Sequence, residues 1–317
     1  MENVRQSIVE DTQNILTQVR KVVVGKESVL AWVLAAIMAK GHILLEDIPG
    51  VGKTTMAVAF SRALGLSYNR VQFNPDILPS DITGYSVLNP ATSELEYRPG
   101  AVLCNLLLAD ELNRATSRTQ SALLESMEER QVTVDGVTRK IPEPFAVIAT
   151  QNPAGAAGTQ LLPDSQVDRF MVSLSLGYPD PKDEVTMLLQ RQGKDPMDTV
   201  EPVMDAQSLA RMQQTVSETF VAEEIGRYIV SLVNATRGNA LLMRGASPRA
   251  TLALASMAKA VARMRGRDYV VPKDVQDAFV TTVAHRIQVS AEAEGKDLTE
   301  QKVLKSILSS VPAPELS

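Results

Sequence analysis

The residues best suited to chemistry form the run Asp47-Ile48-Pro49-Gly50-Val51-Gly52-Lys53-Thr54, which follows a short apolar stretch and precedes a predicted helix. Gly50 and Gly52 allow main-chain N–H groups to close around phosphate groups, and the N-terminus of the following helix adds the positive end of its dipole. Lys53 can carry its charge to the β- and γ-phosphates, and the Thr54 hydroxyl can ligate Mg²⁺. The sequence therefore predicts a phosphate-binding loop for a nucleotide.

The loop departs from the usual pattern at its first position, where Asp47 stands in place of glycine. Aspartate tolerates unusual backbone angles better than most residues, but it also brings a negative charge close to the phosphates. The carboxylate must therefore point away from the phosphates or pair with a cation. An ordinary glycine turn between a strand and a helix is the alternative interpretation. The Gly52-Lys53-Thr54 ending in this context favours the phosphate loop.

A second candidate group, Asp110-Glu111, follows the apolar run Leu106-Leu107-Leu108-Ala109. At the end of a buried strand, Asp110 can hold Mg²⁺ through a water molecule, and Glu111 can orient and polarise the water that attacks the γ-phosphate. Acidic residues often begin loops, so the pair alone is a weak signal. Its position downstream of a phosphate loop favours the catalytic interpretation.

Two further polar groups leave more than one interpretation open. Asn152 follows a third apolar run, 145–150, and can hydrogen-bond the γ-phosphate or the attacking water, but an asparagine before Pro153 is equally typical of a turn. Arg169, which follows Asp168, can meet the charge that develops during phosphoryl transfer, and a neighbouring subunit can supply such an arginine. From the residues alone, a surface pair of Asp168 and Arg169 that contributes little is the favoured interpretation.

These groups are spaced by elements that alternate between short apolar runs and helical segments. The apolar spacing predicts strands at 42–46, 105–109 and 145–150 and helices at 4–22, 26–39 and 117–129. Short apolar strands that alternate with helices indicate a parallel sheet covered on both faces.

Two segments interrupt this alternation and predict β-hairpins. Residues 84–99 contain Asn89-Pro90 and an alternating pattern of side chains. Residues 130–141 place Asp135-Gly136, a favoured two-residue turn, between two short runs that contain valine and threonine.

The run Tyr178-Pro179-Asp180-Pro181 predicts a domain boundary, because proline restricts its own backbone and that of the residue before it. Beyond this run the chain is predicted to be mostly helical, and two of the helices carry proline in the first turn, after Ser247 and Val271. The predicted helices lie at 206–215, 222–237, 247–265, 272–287 and 299–309.

Composition argues against several classes of function. The formal net charge of −5, the pI near 5.3 and the aromatic content of 4% give little attraction to polyanions and few surfaces for base stacking, so nucleic acid is not an expected partner. One cysteine, Cys104, and two histidines, His42 and His285, offer no cysteine–histidine metal site, and all three are interpreted as packing or surface residues. The first residues lack the apolar core of a signal peptide, and the longest apolar run, 29–39, is too short to span a bilayer. We therefore expect a cytoplasmic protein without direct membrane insertion.

Taken in order, the motifs resemble a known family. The phosphate loop, Asp110-Glu111, Asn152, Asp168-Arg169-Phe170 and Ser247-Pro248-Arg249 resemble the core of the AAA+ ATPases. The runs Leu78-Pro79-Ser80-Asp81-Ile82, Asp110-Glu111-Leu112-Asn113-Arg114-Ala115, 120–134, 269–275 and His285-Arg286-Ile287 resemble the MoxR family more specifically. The resemblance spans nearly the whole chain.

This resemblance implies an α/β fold, in which a P-loop AAA+ core with a parallel five-stranded sheet between helices is followed by a C-terminal all-α lid domain. It places the ATPase domain at 1–178, with helix-2 and pre-sensor-1 hairpin insertions at 84–99 and 130–141, and the lid at 179–317. It also implies a homo-oligomeric ring, usually hexameric, and a chaperone-like role with partners that carry von Willebrand A domains.

Matching by motif assigns a role to each candidate residue. Asn152 becomes sensor 1, Arg169 the candidate arginine finger, and Arg249 the sensor 2 arginine, which would couple the state of the phosphates to the position of the lid. The segment Val23-Val24-Gly25 resembles the family's adenine-side segment, and Arg114 and Arg118 lie near the expected subunit boundary. The predicted catalytic residues are Glu111, Asn152, Arg169 and Arg249; the predicted ATP-binding residues are Val24, Gly25, Pro49, Gly50, Val51, Gly52, Lys53, Thr54 and Thr55; and the predicted magnesium ligands are Thr54 and Asp110.

Three functions follow as hypotheses. The first is an ATPase that uses ATP and Mg²⁺ to remodel or mature partner proteins. The second is a nucleotide-gated assembly scaffold with little turnover, against which the presence of Glu111, Asn152 and Arg169 argues, because a pure switch needs none of them. The third is an AAA+ protein that acts on nucleic acid, against which the acidic balance of charge argues.

Overall fold

The computed structural model of the protein describes residues 2–48, 50–152, 162–190, 193 and 195–315 of the 317-residue chain. The strands of this part are β1 (Ile43–Glu46), β2 (Tyr68–Gln72), β3 (Gly84–Asn89), β4 (Glu94–Pro99), β5 (Leu106–Asp110), β6 (Gln131–Val134), β7 (Val137–Lys140), β8 (Ala146–Gln151), β9 (Val172–Leu174), β10 (Leu242–Arg244) and β11 (Gln288–Val289).

Five of these strands form one parallel sheet in the order β2-β5-β8-β1-β9. The two central strands β5 and β8 are buried along their whole length, which is typical of parallel strands covered on both faces. In register, Leu45 pairs with Thr150 on one side and with Leu174 on the other. The parallel five-stranded sheet that the resemblance implied is confirmed.

Helices surround this sheet and make up most of the chain after residue 178. They are α1 (Glu2–Arg20), α2 (Glu27–Met38), α3 (Lys53–Ala63), α4 (Pro79–Thr83), α5 (Ser117–Glu129), α6 (Asp164–Val167), α7 (Pro181–Gln190), α8 (Ala206–Ser217), α9 (Glu223–Asn234), α10 (Pro248–Met264), α11 (Pro272–Val283), α12 (Ala291–Glu294) and α13 (Glu300–Ser310), with short 3-10 turns at Leu112–Arg114, Pro196–Thr199 and Ala284–Arg286. No helix within these described residues is long and apolar enough to cross a membrane.

Alternate residues of the central strands contact two different apolar clusters. On one side of the sheet, Leu45 and Leu108 pack in a cluster with α1, α2, α3 and the helices α8 to α11 and α13. On the other side, Leu44 and Leu107 pack with α5 and with Phe170. The first cluster is continuous across the predicted domain boundary after residue 178, and that boundary stays a prediction.

The parallel register determines which residues can meet. Strands β1, β5 and β8 run side by side, so the residues that follow them lie together at the carboxyl edge of the sheet. The residues that precede them lie at the opposite, amino edge. Since β1 has four residues, the two edges are about 13 Å apart there.

Both predicted hairpins are confirmed. Strands β3 and β4 pair antiparallel, as do β6 and β7. The second hairpin turns at Asp135 and Gly136, whose φ angles of 52° and 75° lie in the left-handed region that a two-residue hairpin turn of this type requires.

Several elements differ from the sequence-based expectation. Strand β2 lies at the edge of the sheet and mixes polar with apolar residues, and β9 has only three residues, so neither has the buried run that marks a strand. The helix predicted at 272–287 ends at Val283, and a 3-10 turn leads into β11. Strands β10 and β11 add a two-stranded ribbon to the C-terminal part, which is otherwise helical as predicted.

Candidate nucleotide-binding site

The predicted phosphate loop connects β1 to α3, as expected. Gly50 and Gly52 have φ angles of 89° and 96°, in the left-handed region that favours glycine. A Cβ atom at either position would meet nothing within 4 Å, so the backbone angle rather than space requires glycine there. Pro49 lies outside the described residues, and Val51 packs against the cluster that contains α3.

The ammonium group of Lys53 lies inside this loop. Its Nζ atom donates hydrogen bonds to the main-chain oxygens of Asp47 (2.8 Å) and Ile48 (3.3 Å). Burial lowers the pKa of Lys53, while the negative charges of Asp47, Asp110 and Glu111 act in the opposite direction. The cation is thus held by two neutral carbonyl groups, which an anion in the loop can replace.

Asp47 shows how the loop accommodates a carboxylate at its first position. Its two carboxylate oxygens accept hydrogen bonds from Ser175 Oγ (2.8 Å), the Leu176 N–H (2.6 Å) and the Gly177 N–H (3.0 Å). These donors lie directly after β9, the strand beside β1. Of the two alternatives that the sequence allowed, this arrangement favours the first, because the carboxylate is held by neutral donors of residues 175–177.

Next to the loop lies a cavity of about 370 Å³ that brings together most of the predicted phosphate-site residues. It lies at the carboxyl edge of the sheet, where β5 and β8 also end. Its lining residues are Gly50, Gly52, Lys53, Thr54, Thr55, Arg70, Gln72, Asp110, Glu111 and Asn152.

The acidic pair at the end of β5 is held by an unexpected partner. Thr150 Oγ1 donates to Asp110 Oδ1 (2.7 Å) and accepts from the Glu111 N–H (2.8 Å), so one hydroxyl group contacts both acidic residues. Arg70 Nη2 donates to Asp110 Oδ2 (2.7 Å). Each carboxylate oxygen of Asp110 therefore has one partner and keeps a second lone pair for another.

Glu111 has a strained backbone and a polar setting. Its φ angle of 56° is in the left-handed region, which is uncommon for a residue with a side chain. Arg114 donates to its carboxylate at 2.7 Å, and Asn152 Nδ2 lies at 3.4 Å. Partial burial acts to raise the pKa of Glu111, but hydrogen bonds from Arg114 and Asn152 and the charge of Arg114 outweigh it and hold the pKa below its usual value. The carboxylate is therefore ionised at neutral pH.

Asn152 follows β8 and faces the same cavity. Its main-chain oxygen accepts from Asn113 Nδ2 (3.3 Å), which fixes the backbone. Its side-chain Oδ1 atom is buried and has no hydrogen-bond partner among the described residues. A buried amide oxygen without a partner is unfavourable, so this atom is suited to accept a hydrogen bond from a bound water molecule.

A second cavity, of about 220 Å³, adjoins the first, because Thr54 and Thr55 line both. Its other lining residues are Val22, Val58, Met187, Gln190, Asp195, Pro196 and Met197. Of the predicted adenine-side residues, Val24 is half-buried and neither it nor Gly25 lines this cavity. A Cβ atom at Gly25 would come 1.7 Å from a carboxylate oxygen of Asp183 on α7, and its φ angle of 72° lies in the left-handed region that favours glycine.

Arg169 and Arg249 lie close to each other, and neither lines the phosphate cavity or the cavity that adjoins it. Arg169 Nε is 3.1 Å from Glu128 Oε2, and Arg249 Nη2 donates to Glu128 Oε1 (2.5 Å). Both arginines and Glu128 share a cavity of about 250 Å³ with residues 40–42, which precede β1. The predicted catalytic residues thus divide into a carboxyl-edge cluster, Glu111 and Asn152, and an amino-edge cluster, Arg169 and Arg249.

The amino-edge cluster is held in place by Arg286. This guanidinium is 5% exposed, and it donates to Asp168 Oδ1 (2.9 Å) and to the main-chain oxygen of Phe170 (2.6 Å). Ser247, at the start of α10, donates to the same Asp168 carboxylate (3.0 Å). Burial lowers the pKa of Arg286 to about 10, so it remains charged at neutral pH. The turn that carries Arg169 and the helix that carries Arg249 are therefore fixed to each other.

Sequence reasoning missed three residues of the site: Arg70, Gln72 and Thr150. Arg70 and Gln72 lie on β2, an edge strand that mixes polar with apolar residues, so no apolar run marks it in the sequence. Thr150 was identified only as the end of an apolar run. Arg114, which the resemblance places near the subunit boundary, contacts Glu111 of its own chain.

A parallel sheet with a phosphate loop after its first strand and an acidic pair at the end of a neighbouring strand defines a P-loop nucleotide-binding protein of the AAA+ class. Residues 42–172 match the family described as ATPase family associated with various cellular activities (AAA), and residues 234–307 match the AAA lid domain.

Comparison with known proteins gives the narrower group. The chain is 43% identical to the uncharacterized protein YeaC of Bacillus subtilis (strain 168) over 93% of this chain and 92% of that protein. It is 35% identical to Chaperone MoxR1 of Mycobacterium tuberculosis over 98% of this chain and 84% of that protein. The crystal structure of a presumed ATPase from Cytophaga hutchinsonii superposes with a TM-score of 0.91 at 34% identity and covers 99% of this chain and 98% of that one. The chain belongs to the MoxR family of AAA+ ATPases.

Proposed function

We propose that the chain binds ATP together with Mg²⁺ and hydrolyses the ATP to ADP and phosphate. The observation that carries this proposal is the convergence of Lys53, Glu111 and Asn152, from three different elements, on one cavity. A cation for the phosphates, a carboxylate for water and an amide beside it are three of the parts that phosphoryl transfer to water uses.

The loop and the helix after it are proposed to hold the phosphates. Lys53 would leave its two carbonyl partners for the β- and γ-phosphates, because a charge-assisted hydrogen bond is stronger than one to a neutral oxygen. The first N–H groups of α3, from Lys53 to Thr55, have no partner within the helix and add to this anion site. The adjoining cavity beside α7 is proposed to take the adenine; Val24 and Gly25 do not line it, but they follow its lining residue Val22 in the chain.

Thr54 and Asp110 are the proposed magnesium ligands. A hydroxyl and a carboxylate are oxygen ligands of the kind that Mg²⁺ prefers, and both side chains line the phosphate cavity. Because Arg70 and Thr150 already contact the carboxylate of Asp110, we propose that Asp110 holds the metal through water. When bound, Mg²⁺ supplies positive charge to the β- and γ-phosphate oxygens.

Glu111 is proposed to orient and polarise the attacking water. Asn152 Oδ1 is proposed to accept a second hydrogen bond from the same water molecule. The two side chains contact each other at 3.4 Å, so a water molecule can reach both. Arg114 donates to the other carboxylate oxygen of Glu111, so the oxygen beside Asn152 is the one proposed to face the water.

Arg169 and Arg249 are proposed to complete the site of a neighbouring subunit. They lie at the amino edge of the sheet, about 13 Å from the carboxyl edge where the same chain's phosphate loop begins. A head-to-tail contact between identical chains would bring one subunit's arginines to the next subunit's phosphates, and repetition of such a contact closes a ring. We propose a homo-oligomeric ring, most simply a hexamer as the family implies.

The biological role proposed is the remodelling or maturation of partner proteins. A relative with 35% identity carries the name chaperone, and the family implies partners with von Willebrand A domains. Hairpin β3–β4 exposes Leu88 and Leu95, which are 60% and 68% exposed, and these can contact a partner. Affinity capture with Glu111→Gln tests this: a genuine partner should be held in ATP and released in ADP, and equal recovery in both argues against the role.

Steady-state phosphate release by Glu111→Gln is the test of hydrolysis. Loss of the carboxylate should lower turnover by about 10²–10⁴-fold while the affinity for ATP stays within a few-fold, since Glu111 acts on water rather than on the nucleotide. Lys53→Ala should instead weaken nucleotide binding itself.

The matched control is Glu292→Gln, which makes the same chemical change on the exposed surface of α12 and should leave turnover unchanged. If wild-type turnover is undetectable and Glu111→Gln does not alter it, the nucleotide-gated scaffold is the better account.

A further inference from the structure

The carboxylate of Asp47 is a buried anion inside the phosphate loop that none of the proposed catalytic steps uses. The residue is 5% exposed, and its three donors are one hydroxyl and two consecutive main-chain N–H groups, those of Leu176 and Gly177. Two consecutive N–H groups that converge on one anion form a specific binding arrangement. A glycine at position 47, as in the usual motif, could make none of these bonds.

The same residue is bonded to the phosphate-binding lysine through its backbone. Asp47 O accepts from Lys53 Nζ at 2.8 Å, whereas the Asp47 side chain bonds residues 175–177. Asp47 is therefore a direct link between the lysine and the segment after β9. Any displacement of its main chain when Lys53 changes partner is passed to residues 175–177, because three short hydrogen bonds resist separation.

The segment after residue 177 leads to the cavity that is proposed to take the adenine. Lys26 Nζ donates to the main-chain oxygen of Tyr178 (2.8 Å), and Asp183 packs on Gly25. Helix α7 follows, and its Met187 lines the cavity proposed for adenine. Helix α7 buries none of its side chains, so little apolar packing opposes its movement.

We propose that Asp47 is a positioning residue that couples the phosphate loop to α7. When phosphate draws Lys53 Nζ away from Asp47 O, the buried carboxylate transmits the change to residues 175–177 and so to the helix that borders the adenine cavity. The inference rests on the nucleotide binding of the proposed function and is independent of hydrolysis.

Hydrogen–deuterium exchange of the segment 172–190 with and without ADP tests the coupling. In the wild type, ADP should slow exchange in this segment. Asp47→Asn replaces one acceptor oxygen by a donor, so at least one of the three donors loses its partner. We expect this variant to bind ADP within about tenfold of the wild type, the equivalent of about one hydrogen bond, but to lose most of the slowing in 172–190.

The matched control is Asp205→Asn. Asp205 also accepts a main-chain N–H, that of Ser208 (2.7 Å), but it lies beside Gly65, near the end of α3 remote from the phosphate loop. This variant should retain the full ADP effect. If Asp47→Asn does not fold, Ser175→Ala removes a single donor and should reduce the ADP effect in part without loss of ADP affinity.

Four outcomes decide between the proposals. Full slowing of 172–190 in Asp47→Asn or in Ser175→Ala overturns the coupling, and so does a loss of ADP affinity in Asp47→Asn far beyond tenfold, because Asp47 would then act on the nucleotide. Wild-type protein that binds ADP without any change in 172–190 overturns the coupling alone. Wild-type protein that does not bind ADP overturns the proposed function instead.

Discussion

At the scale of single residues, Thr150 connects the two acidic residues of the site. Its side chain is fully buried, and its one hydroxyl group serves the carboxylate of Asp110 and the main-chain N–H of Glu111. Valine has nearly the same shape but no hydroxyl, so Thr150→Val would leave a buried acceptor and a buried donor each short of a partner.

We therefore predict that Thr150→Val lowers the free energy of unfolding by about 1–3 kcal/mol and lowers ATP turnover, as measured by urea-induced unfolding and by phosphate release. Thr282→Val is the matched control, because Thr282 is equally buried and its hydroxyl has no hydrogen-bond partner among the described residues. It should not lower the free energy of unfolding, because it removes a buried hydroxyl group that has no partner. Equal losses in the two variants would contradict the role given to the Thr150 hydroxyl.

The residues at the carboxyl edge of the sheet could be predicted from the sequence. The residues that hydrogen-bond to Asp110, namely Arg70 and Thr150, could not. Lys53 and Glu111 carry local signals, namely a glycine-containing turn and a polar pair after an apolar run. Arg70 gives no such signal, because its contact with Asp110 depends on the pairing of β2 with β5. Which polar residue faces an acidic neighbour is decided by tertiary structure.

At the scale of elements, His42 joins the end of α5 to β8. Its Nδ1 atom accepts from the Val147 N–H (3.0 Å), and its Nε2 atom lies 3.2 Å from the Met127 main-chain oxygen. The two hydrogen bonds together require the neutral tautomer that carries its hydrogen on Nε2. A protonated ring would place an N–H against the Val147 N–H. Burial, together with the charge of Arg130, lowers the pKa of His42 to about 3.

This lowered pKa makes the stability depend on pH. Between the unfolded pKa of about 6.5 and the folded value of about 3, the unfolded state binds more protons, so the contribution of His42 is present above pH 6.5 and is lost as the pH falls. From pH 6.5 to pH 5 the loss should be about 2 kcal/mol for this residue. Urea-induced unfolding of His42→Gln should therefore show a smaller decrease between pH 7 and pH 5 than the wild type. The same decrease in both proteins would contradict a buried neutral ring.

Local patterns explain which elements were predictable. Strands β5 and β8 are continuous buried runs, and the hairpin at 130–141 has a turn pair whose backbone angles match its residues. Strand β9 has three residues, and α7 has no buried side chain, so neither leaves an apolar pattern to find. The position of β9 depends on its pairing with β1, and the position of α7 depends on the segment around Gly25 that Asp183 contacts.

At the scale of the whole molecule, the predicted catalytic residues form two clusters at opposite edges of one sheet. The amino-edge cluster joins Glu128 to Arg249, which are 121 residues apart in the chain, and no local sequence pattern predicts that contact. We propose that neither cluster is sufficient for full turnover, because Arg70, which lines the phosphate cavity, is paired with Asp110, and the other cluster has no phosphate loop. The two clusters make one working site only if identical chains meet head to tail.

Mixing two inactive variants tests this claim most directly. Arg169→Ala keeps a phosphate loop but lacks the arginine, and Lys53→Ala keeps the arginine but has a defective loop. In rings assembled at random from equal amounts, about a quarter of the subunit boundaries combine an intact loop with an intact arginine, so phosphate release should recover to roughly a quarter of the wild-type rate. The control is the double variant Lys53→Ala/Arg169→Ala mixed with Lys53→Ala. It should stay inactive, because no subunit in this mixture has an intact phosphate loop. Absence of any recovery in rings shown to contain both variants would contradict a site shared between subunits.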